Sequence, residues 1–266
     1  MSRAVFVDRH GGPEVLALRE HEPATPAAGQ ARVRVAAAGV NFIDIYFRTG
    51  AYPMAPPFVL GFEGAGVVES VGDGVTELRV GDRVAWAQVA GSYATHVVAP
   101  VDSLVKVPDG VVTEVAAAAL LQGMTAHYLT HGVRETRAGD VALVHAAAGG
   151  TGLLLVQTLS AAGARVIGTC STEAKAALAR EAGAAEVVRY DGGDFAVEVK
   201  RLTGGKGVDV VYDSVGQATF DGSLRCLRRR GLLALFGQAS GPVPPLDDDP
   251  RSWLPARRES ARAISR

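Results

Sequence analysis

Cysteine is scarce in this 266-residue chain: Cys170 and Cys226 are the only two, far apart and outside any Cys-x-x-Cys pattern. That excludes a disulfide framework and a four-cysteine zinc lobe, and it fits a reducing, cytoplasmic setting. An excess of either charge is missing too. Lys and Arg number 27 against 28 Asp and Glu, a formal net charge of −1. Nothing in that balance points to nucleic acid, a membrane surface or a strongly acidic partner. The N-terminus turns polar at Asp8 and Arg9, which excludes a signal peptide. From Val141 to Ala164 there is no Asp, Glu, Lys or Arg, close to the length of a membrane span. That run nevertheless contains Gly149, Gly150, Gly152 and Gly163, with His145 and Gln157, and it divides into strand, glycine turn and helix. The chain reads as soluble.

What is present is apolar material for two cores, 48% of residues. Up to about residue 122 the pattern is of short strands cut by glycine and proline: Ala31–Val35 alternates with period two, and Gly64–Val71 and Gly81–Trp86 follow. Such punctuation predicts a compact β-barrel domain over 1–122. An alanine-rich helix is expected from Thr113, as N-cap, to Thr130. From Gly139 strands and helices alternate: strand Val141–Val144, helix Gly152–Ala162, strand Arg165–Thr169, helix Thr172–Ala182, strand Glu186–Tyr190, helix Phe195–Leu202, strand Val208–Tyr212 and strand Leu232–Phe236. That rhythm predicts a parallel, doubly wound sheet over 123–246. Residues 247–266 break it; Arg251–Arg266 holds five arginines against Glu259, and a disordered tail is expected.

The motif that carries chemistry is Ala147-Ala-Gly-Gly-Thr-Gly152, after a strand and opening a helix. On the pattern G-x-G-x-x-G, Gly149 and Gly152 fill the second and third glycine positions, and Ala147 replaces the first. Gly149 lets a pyrophosphate approach the backbone, the helix N-terminus supplies oriented N–H donors, and Gly152 allows close helix–strand packing. Ala148, Gly149, Gly150, Thr151 and Gly152 are therefore cofactor-binding candidates, the alternative being a plain tight strand–helix turn. One strand later an NAD site places an acid for the ribose 2′-OH. Here that position reads Thr169-Cys-Ser-Thr172, with Lys175 following. An absent acid with Ser171 and a cation nearby favours NADP(H) over NAD(H), although Lys175 alone would read as an ordinary solvated lysine.

Ala38-Gly-Val-Asn-Phe-Ile-Asp44, Gly61-Phe-Glu-Gly-Ala-Gly66, Gly81-Asp-Arg-Val84, His145–Gly152 and Tyr212-Asp-Ser-Val-Gly216 resemble, in order, the zeta-crystallin-type quinone oxidoreductases. These form the zinc-free branch of the medium-chain dehydrogenase/reductase superfamily. The resemblance implies an α/β protein with a GroES-like barrel, a Rossmann domain and NADPH in the cleft between them, reducing quinones or other activated enones. It implies that Asn41, Asp44, Tyr46 and Tyr52 line the nicotinamide and substrate side, with Asn41, Tyr46 and Tyr52 as catalytic candidates. Thr125 would lie near the nicotinamide. Ser171, Lys175 and Tyr190 would surround the adenosine phosphate, and Ser214, Phe236 and Gly237 would lie along the cofactor.

Zinc-dependent relatives carry Cys where Asn41 stands and His where Phe62 stands; amide and phenyl groups do not replace thiolate and imidazole, and Glu63 alone cannot hold the ion. No metal is expected. His96, His127, His131 and His145 stand isolated in sequence, and a structural role is expected for each. No Ser/His/Asp or Cys/His arrangement supports covalent catalysis. The family homodimer is implied, yet relatives continue past Leu246 by roughly 60 to 80 residues on domain-size grounds. The chain is thus expected to be C-terminally truncated and to lack the dimer strand, with a frameshift or early stop as its origin. An enoyl reductase, a non-catalytic NADPH binder and an inactive truncated relative remain alternatives.

Overall fold

The computed structural model describes residues 1–245; the expectation of a disordered tail from 247 lies outside them. The chain divides into two compact units, Met1–Met124 and a second beginning at Thr125.

The first unit holds β1 (Arg3–Val7), β2 (Leu16–Glu20), β3 (Gln30–Gly39), α1 (Phe42–Thr49), β4 (Phe58–Val59), β5 (Glu63–Val71), β6 (Arg83–Ala87), β7 (His96–Pro100) and β8 (Val105–Lys106). Helix α2 (Thr113–His127) begins in it. The strands form two antiparallel sheets, ordered β2-β1-β4 and β7-β3-β5-β6-β8. Residues 93–95 join them. On one side Val5 N–H donates to Tyr93 O and Thr95 N–H to Arg3 O; on the other, Val35 N–H donates to Thr95 O. This closes the sheets into the GroES-like barrel. The alternation read in Ala31–Val35 is real: Ala31 and Val33 are buried, with Val68, Val84, Trp86, Val97 and Ala99, in one core. Trp86 is its largest member, fully buried, and its Nε1–H donates to Ser92 Oγ at 2.8 Å. Gly64 makes that possible, since a Cβ there would lie 2.6 Å from the indole ring.

The second unit holds β9 (Val141–Val144), α3 (Gly150–Ala161), β10 (Arg165–Cys170), α4 (Glu173–Glu181), β11 (Glu186–Arg189), α5 (Phe195–Leu202), β12 (Val208–Asp213), α6 (Phe220–Cys226) and β13 (Leu227–Leu235). The sheet is parallel throughout, in the order β11-β10-β9-β12-β13. Strand alternation explains why both its faces are covered. Ala142, Val144, Val166, Val210 and Tyr212 pack with Leu155, Val156 and Leu159 of α3 and Ala179 of α4. The intervening Leu143, Ile167 and Val211 pack with Ala196 and Val199 of α5 and Cys226 of α6. Apolar residues at both parities need helices on both sides. The doubly wound Rossmann fold follows from that, and the charge-free run Val141–Ala164 is β9, turn and α3. Among the described residues no helix is long and apolar enough to cross a membrane.

Boundaries differ from the sequence reading where tertiary contacts decide. Thr113 is the first helical residue of α2, not its N-cap, and beyond His127 the helix widens into a π-type turn, Tyr128–Val133. Tyr190 leaves β11 to open a 3-10 turn. Strand β13 starts at Leu227, five residues before the expected Leu232, because the chain passes from α6 into the strand with a bulge opposite Val208–Val210.

The barrel core gives a direct test. Trp86→Phe removes ring volume and the donor to Ser92, and should cost about 1–3 kcal/mol, read as an earlier urea midpoint with an unchanged slope.

Candidate dinucleotide and substrate sites

In the sheet order, β9 and β12 stand at the switch point, where neighbouring crossovers run in opposite directions and ligands bind beyond the strand carboxyl ends. The turn Ala147–Gly152 lies there. It is tied to β10 by Ala147 N–H donating to Thr169 O at 3.0 Å, and closed by Gly149 N–H donating to Ala146 O at 2.8 Å. A Cβ on Gly152 would collide with the Ala146 carbonyl, so glycine is required for α3 to start this close to the strand. The missing first glycine is compensated from the next strand. A Cβ on Gly168 would lie 2.8 Å from the Ala147 Cβ, so Gly168 supplies the room that Ala147 takes.

The first turn of α3 has Gly149 at its N-cap and no side-chain cap. Helices α4 and α5 differ: Thr172 accepts from Lys175 N–H, and Asp194 from Ala196 N–H. The opening N–H groups of α3 lack intrahelical partners, and Gly149 and Gly150 are exposed. Ala148, Gly150 and Thr151 complete this cradle, which suits a dinucleotide phosphate.

At the end of β10 the structure brings Ser171 and Lys175 together, Lys175 Nζ lying 3.5 Å from Ser171 Oγ, both exposed. Glu173 does not take the place of the missing acid: it is drawn to Arg180 at 2.7 Å and Arg189 at 3.7 Å. Arg189, which sequence reasoning missed, pairs across the sheet with Cys170 but is also held by Asp191. Ser214, Phe236 and Gly237 meet at the ends of β12 and β13. Phe236 N–H donates to Asp213 O, and a Cβ on Gly237 would lie 2.7 Å from Ser214 O. Thr125 lies within α2.

His145 is not isolated, contrary to the sequence reading. Its Nδ1 lies 2.9 Å from Thr169 Oγ1 and 3.1 Å from the Tyr190 hydroxyl, and its Nε2 lies 2.9 Å from Ser223 Oγ. Ser223 in turn donates to Asp213 Oδ2 at 2.7 Å. The structure thus assembles a Ser, a His and an Asp that the sequence did not reveal. They are fully buried, and the serine gives its hydrogen to the aspartate, so the group is structural and not a nucleophile. Burial pushes the imidazole down to about 4, against a smaller upward pull from Asp213. His96 and His131 also have partners: Glu69 at 3.5 Å, and the His127 carbonyl with a stacked His127 ring.

In the first unit Asn41 precedes α1, and the Asp44 carboxylate reaches back to accept from Asn41 N–H at 2.9 Å. The Asn41 side chain, which answers the Asp44 N–H in a capping box, also enters a second network. Its Nδ2 donates to Glu63 Oε2 at 2.6 Å, its Oδ1 accepts from Gln122 Nε2 at 3.2 Å, and Glu63 Oε1 accepts from Leu121 N–H at 2.8 Å. The amide orientation is fixed, with its second N–H uncommitted among these bonds. Burial raises the carboxyl groups of Glu63 and Asp44, and Tyr93 O–H donates to Asp44 Oδ2 at 2.7 Å. Tyr46 and Tyr52 are brought together, ring centroids 5.0 Å apart, and Tyr52 also meets Phe47 edge-on. Phe62 stacks on Phe47 at 4.4 Å.

Family models match both units: the alcohol dehydrogenase GroES-like domain over residues 27–109 and the zinc-binding dehydrogenase domain over 150–258. A quinone oxidoreductase of Pseudomonas aeruginosa is 49% identical over 246 residues, 91% of this chain and 75% of the relative. A 2-haloacrylate reductase of a Burkholderia species is 46% identical over 253 residues, 92% of this chain and 76% of that one. The crystal structure of Escherichia coli quinone oxidoreductase complexed with NADPH superposes with a TM-score of 0.89 at 44% identity, covering 93% of this chain and 76% of that one. Barrel, Rossmann sheet and glycine turn together define a medium-chain dehydrogenase/reductase. Within that class the chain belongs to the zinc-free quinone oxidoreductases, and it is an NADPH-dependent oxidoreductase.

The His145 environment has a pH signature. The unfolded chain takes up this proton near 6.5, the folded one only near 4. Between those values the unfolded state binds more protons, so this contribution to stability is complete above 6.5 and lost as pH falls through 4. Thermal midpoints should drop on acidification through that window, and His145→Gln should flatten the slope.

Proposed function

We propose that the protein reduces quinones by hydride transfer from NADPH, without zinc. The observation that carries the cofactor half is the pairing of an uncapped, glycine-walled α3 N-terminus with Ser171 and Lys175 where an NAD site would hold an acid. The α3 amides and Thr151 bind the pyrophosphate. Ser171 and Lys175, with Tyr190, hold the adenosine 2′-phosphate through hydrogen bonds and charge. Ser214, Phe236, Gly237 and Thr125 complete the second unit's cofactor contacts.

When bound, the nicotinamide supplies the hydride; the chain's own residues position the acceptor and handle charge on its oxygen. A quinone needs one hydride and one proton to become a hydroquinone. Asn41 suits the oxygen that gains charge, because Glu63 and Gln122 fix its amide with one N–H left to give. Tyr52 is the second candidate donor, and the paired rings of Tyr46 and Tyr52 offer an aromatic wall for a planar acceptor. Zinc is ill served here. Where zinc-dependent relatives hold Cys and His, Asn41 is bonded to Glu63 and Phe62 is stacked on Phe47. The likeness to a 2-haloacrylate reductase supports a second reading, an activated enone as acceptor, which asks for the same hydride and the same donor.

Two measurements test this. In fluorescence titrations NADPH should bind at least about ten-fold tighter than NADH, through a charge-assisted phosphate contact, and Lys175→Ala should narrow the gap; tighter NADH binding would overturn the assignment. In NADPH oxidation with benzoquinones, removing the donor to the developing oxyanion should lower kcat by about 10²-fold. Asn41→Ala and Tyr52→Phe separate the two candidates, and unchanged turnover in Tyr52→Phe across several quinones would leave Asn41 alone. No turnover with quinones, but turnover with an acrylate or an enoyl thioester, would favour the enone reading.

A further inference from the structure

Two histidines stand four residues apart where α2 ends, and the chemistry above uses neither. His127 is the last residue of α2, and His131 lies in the π-type turn that follows. Both belong to the second unit and both are exposed. Their rings stack, with centroids 4.3 Å apart and an interplanar angle of 11°. Residues four apart share a helix face. The change from i→i+4 to i→i+5 bonding unwinds the backbone here and brings the two side chains closer to vertical register. The backbone that carries them is anchored: Ala126, Leu129 and Thr130 are buried, the first two in the core shared with α3.

The hydrogen bonds of His131 decide which of its ring nitrogens is bare. Nδ1 lies 3.0 Å from the His127 carbonyl oxygen and 3.0 Å from Thr130 Oγ1. A carbonyl only accepts. The Thr130 hydroxyl gives its one hydrogen to the Ala126 carbonyl at 2.8 Å, so towards Nδ1 it accepts as well. In its neutral form the imidazole therefore carries its hydrogen on Nδ1, and Nε2 presents a lone pair. A backbone carbonyl that holds Nδ1–H is the arrangement that orients a metal-ligating histidine and raises its basicity. The His127 ring makes no hydrogen bond among the described residues, so it can turn to bring a second nitrogen to the same ion.

We infer that His127 and His131 form a surface chelate for a late first-row divalent cation, Cu2+ before Ni2+ or Zn2+. Imidazole nitrogen suits these ions, and affinity for such donors peaks at Cu2+. No third His, Cys, Asp or Glu joins the pair among the described residues, so water completes the coordination. Mg2+ and Ca2+, which take oxygen ligands, are not served. The chelate is distinct from Asn41 and Phe62, the positions at which zinc-dependent relatives hold their metal.

Cu2+ titrated into the full chain, by calorimetry and by electron paramagnetic resonance, tests this. His127→Gln and His131→Gln each leave a single imidazole, and each should weaken Cu2+ binding by about ten-fold or more through loss of the chelate. Both sites are exposed, so the thermal midpoints without metal should match the parent. The spectrum of the parent should show coupling to two imidazole nitrogens, and that of either variant to one at most. His10→Gln, which removes an exposed imidazole elsewhere, should behave as the parent, and excess Mg2+ should not compete. Parent-like affinity in both variants, or a loss shared equally by His10→Gln, would mean scattered single imidazoles and would overturn the inference. A two-nitrogen signal that survives in either variant would overturn it as well, and so would displacement of Cu2+ by Mg2+.

Discussion

The Asp213 carboxylate lies fully buried at the end of β12, and its hydrogen bonds organise the carboxyl edge of the sheet. It accepts from the backbone N–H groups of Val215 and Gly216, and from the hydroxyls of Thr219 and Ser223. A buried carboxylate is tolerable only when its lone pairs are so occupied, and here the donors come from the following loop and from α6. Satisfying that one group curls residues 214–219 over the strand end, seats α6, and through Ser223 fixes His145 where β9 gives way to the glycine turn. The cofactor cradle and the strand-end loops thus share a single electrostatic constraint.

A second buried carboxylate, Glu63, does the corresponding work in the barrel. It begins β5, accepts from Leu121 N–H in α2 and from the Asn41 amide, and so ties a strand, a helix N-terminus and a second helix together. In both units a buried acid side chain orients a neutral group: the Asn41 amide in one and, through Ser223, the His145 imidazole in the other. Polar networks of this kind fix geometry because every partner has one admissible orientation.

Much of this was legible in the chain itself. The alternating strand–helix rhythm gave the parallel sheet, since apolar strands buried on both faces have few other arrangements. The turn before α3 was readable because Gly152 answers a backbone demand that no other residue meets, a Cβ there falling on the Ala146 carbonyl. Ser171 and Lys175 stood out as candidates from the absence of an acid at a set spacing. Other features were not readable. Ala147 replaces the first glycine of the pattern, and only the fold shows that Gly168, on the neighbouring strand, makes room for it. His145 looked solitary because Thr169, Tyr190, Asp213 and Ser223 are 24 to 78 positions away in sequence. The meeting of the Tyr190 hydroxyl with His145 and Thr169 had no local signal at all.

What the sequence by itself determined was the pair of folds, the dinucleotide turn and the side chains available to the chemistry. These depend on periodicity, glycine placement and residue type, which are local properties of the chain. Only the tertiary structure decided how the polar side chains point: which N–H of Asn41 is committed, and which hydroxyls meet the two ring nitrogens of His145. Orientation is set by what each buried donor or acceptor meets across the sheet, and those partners are brought together by folding and not by sequence spacing.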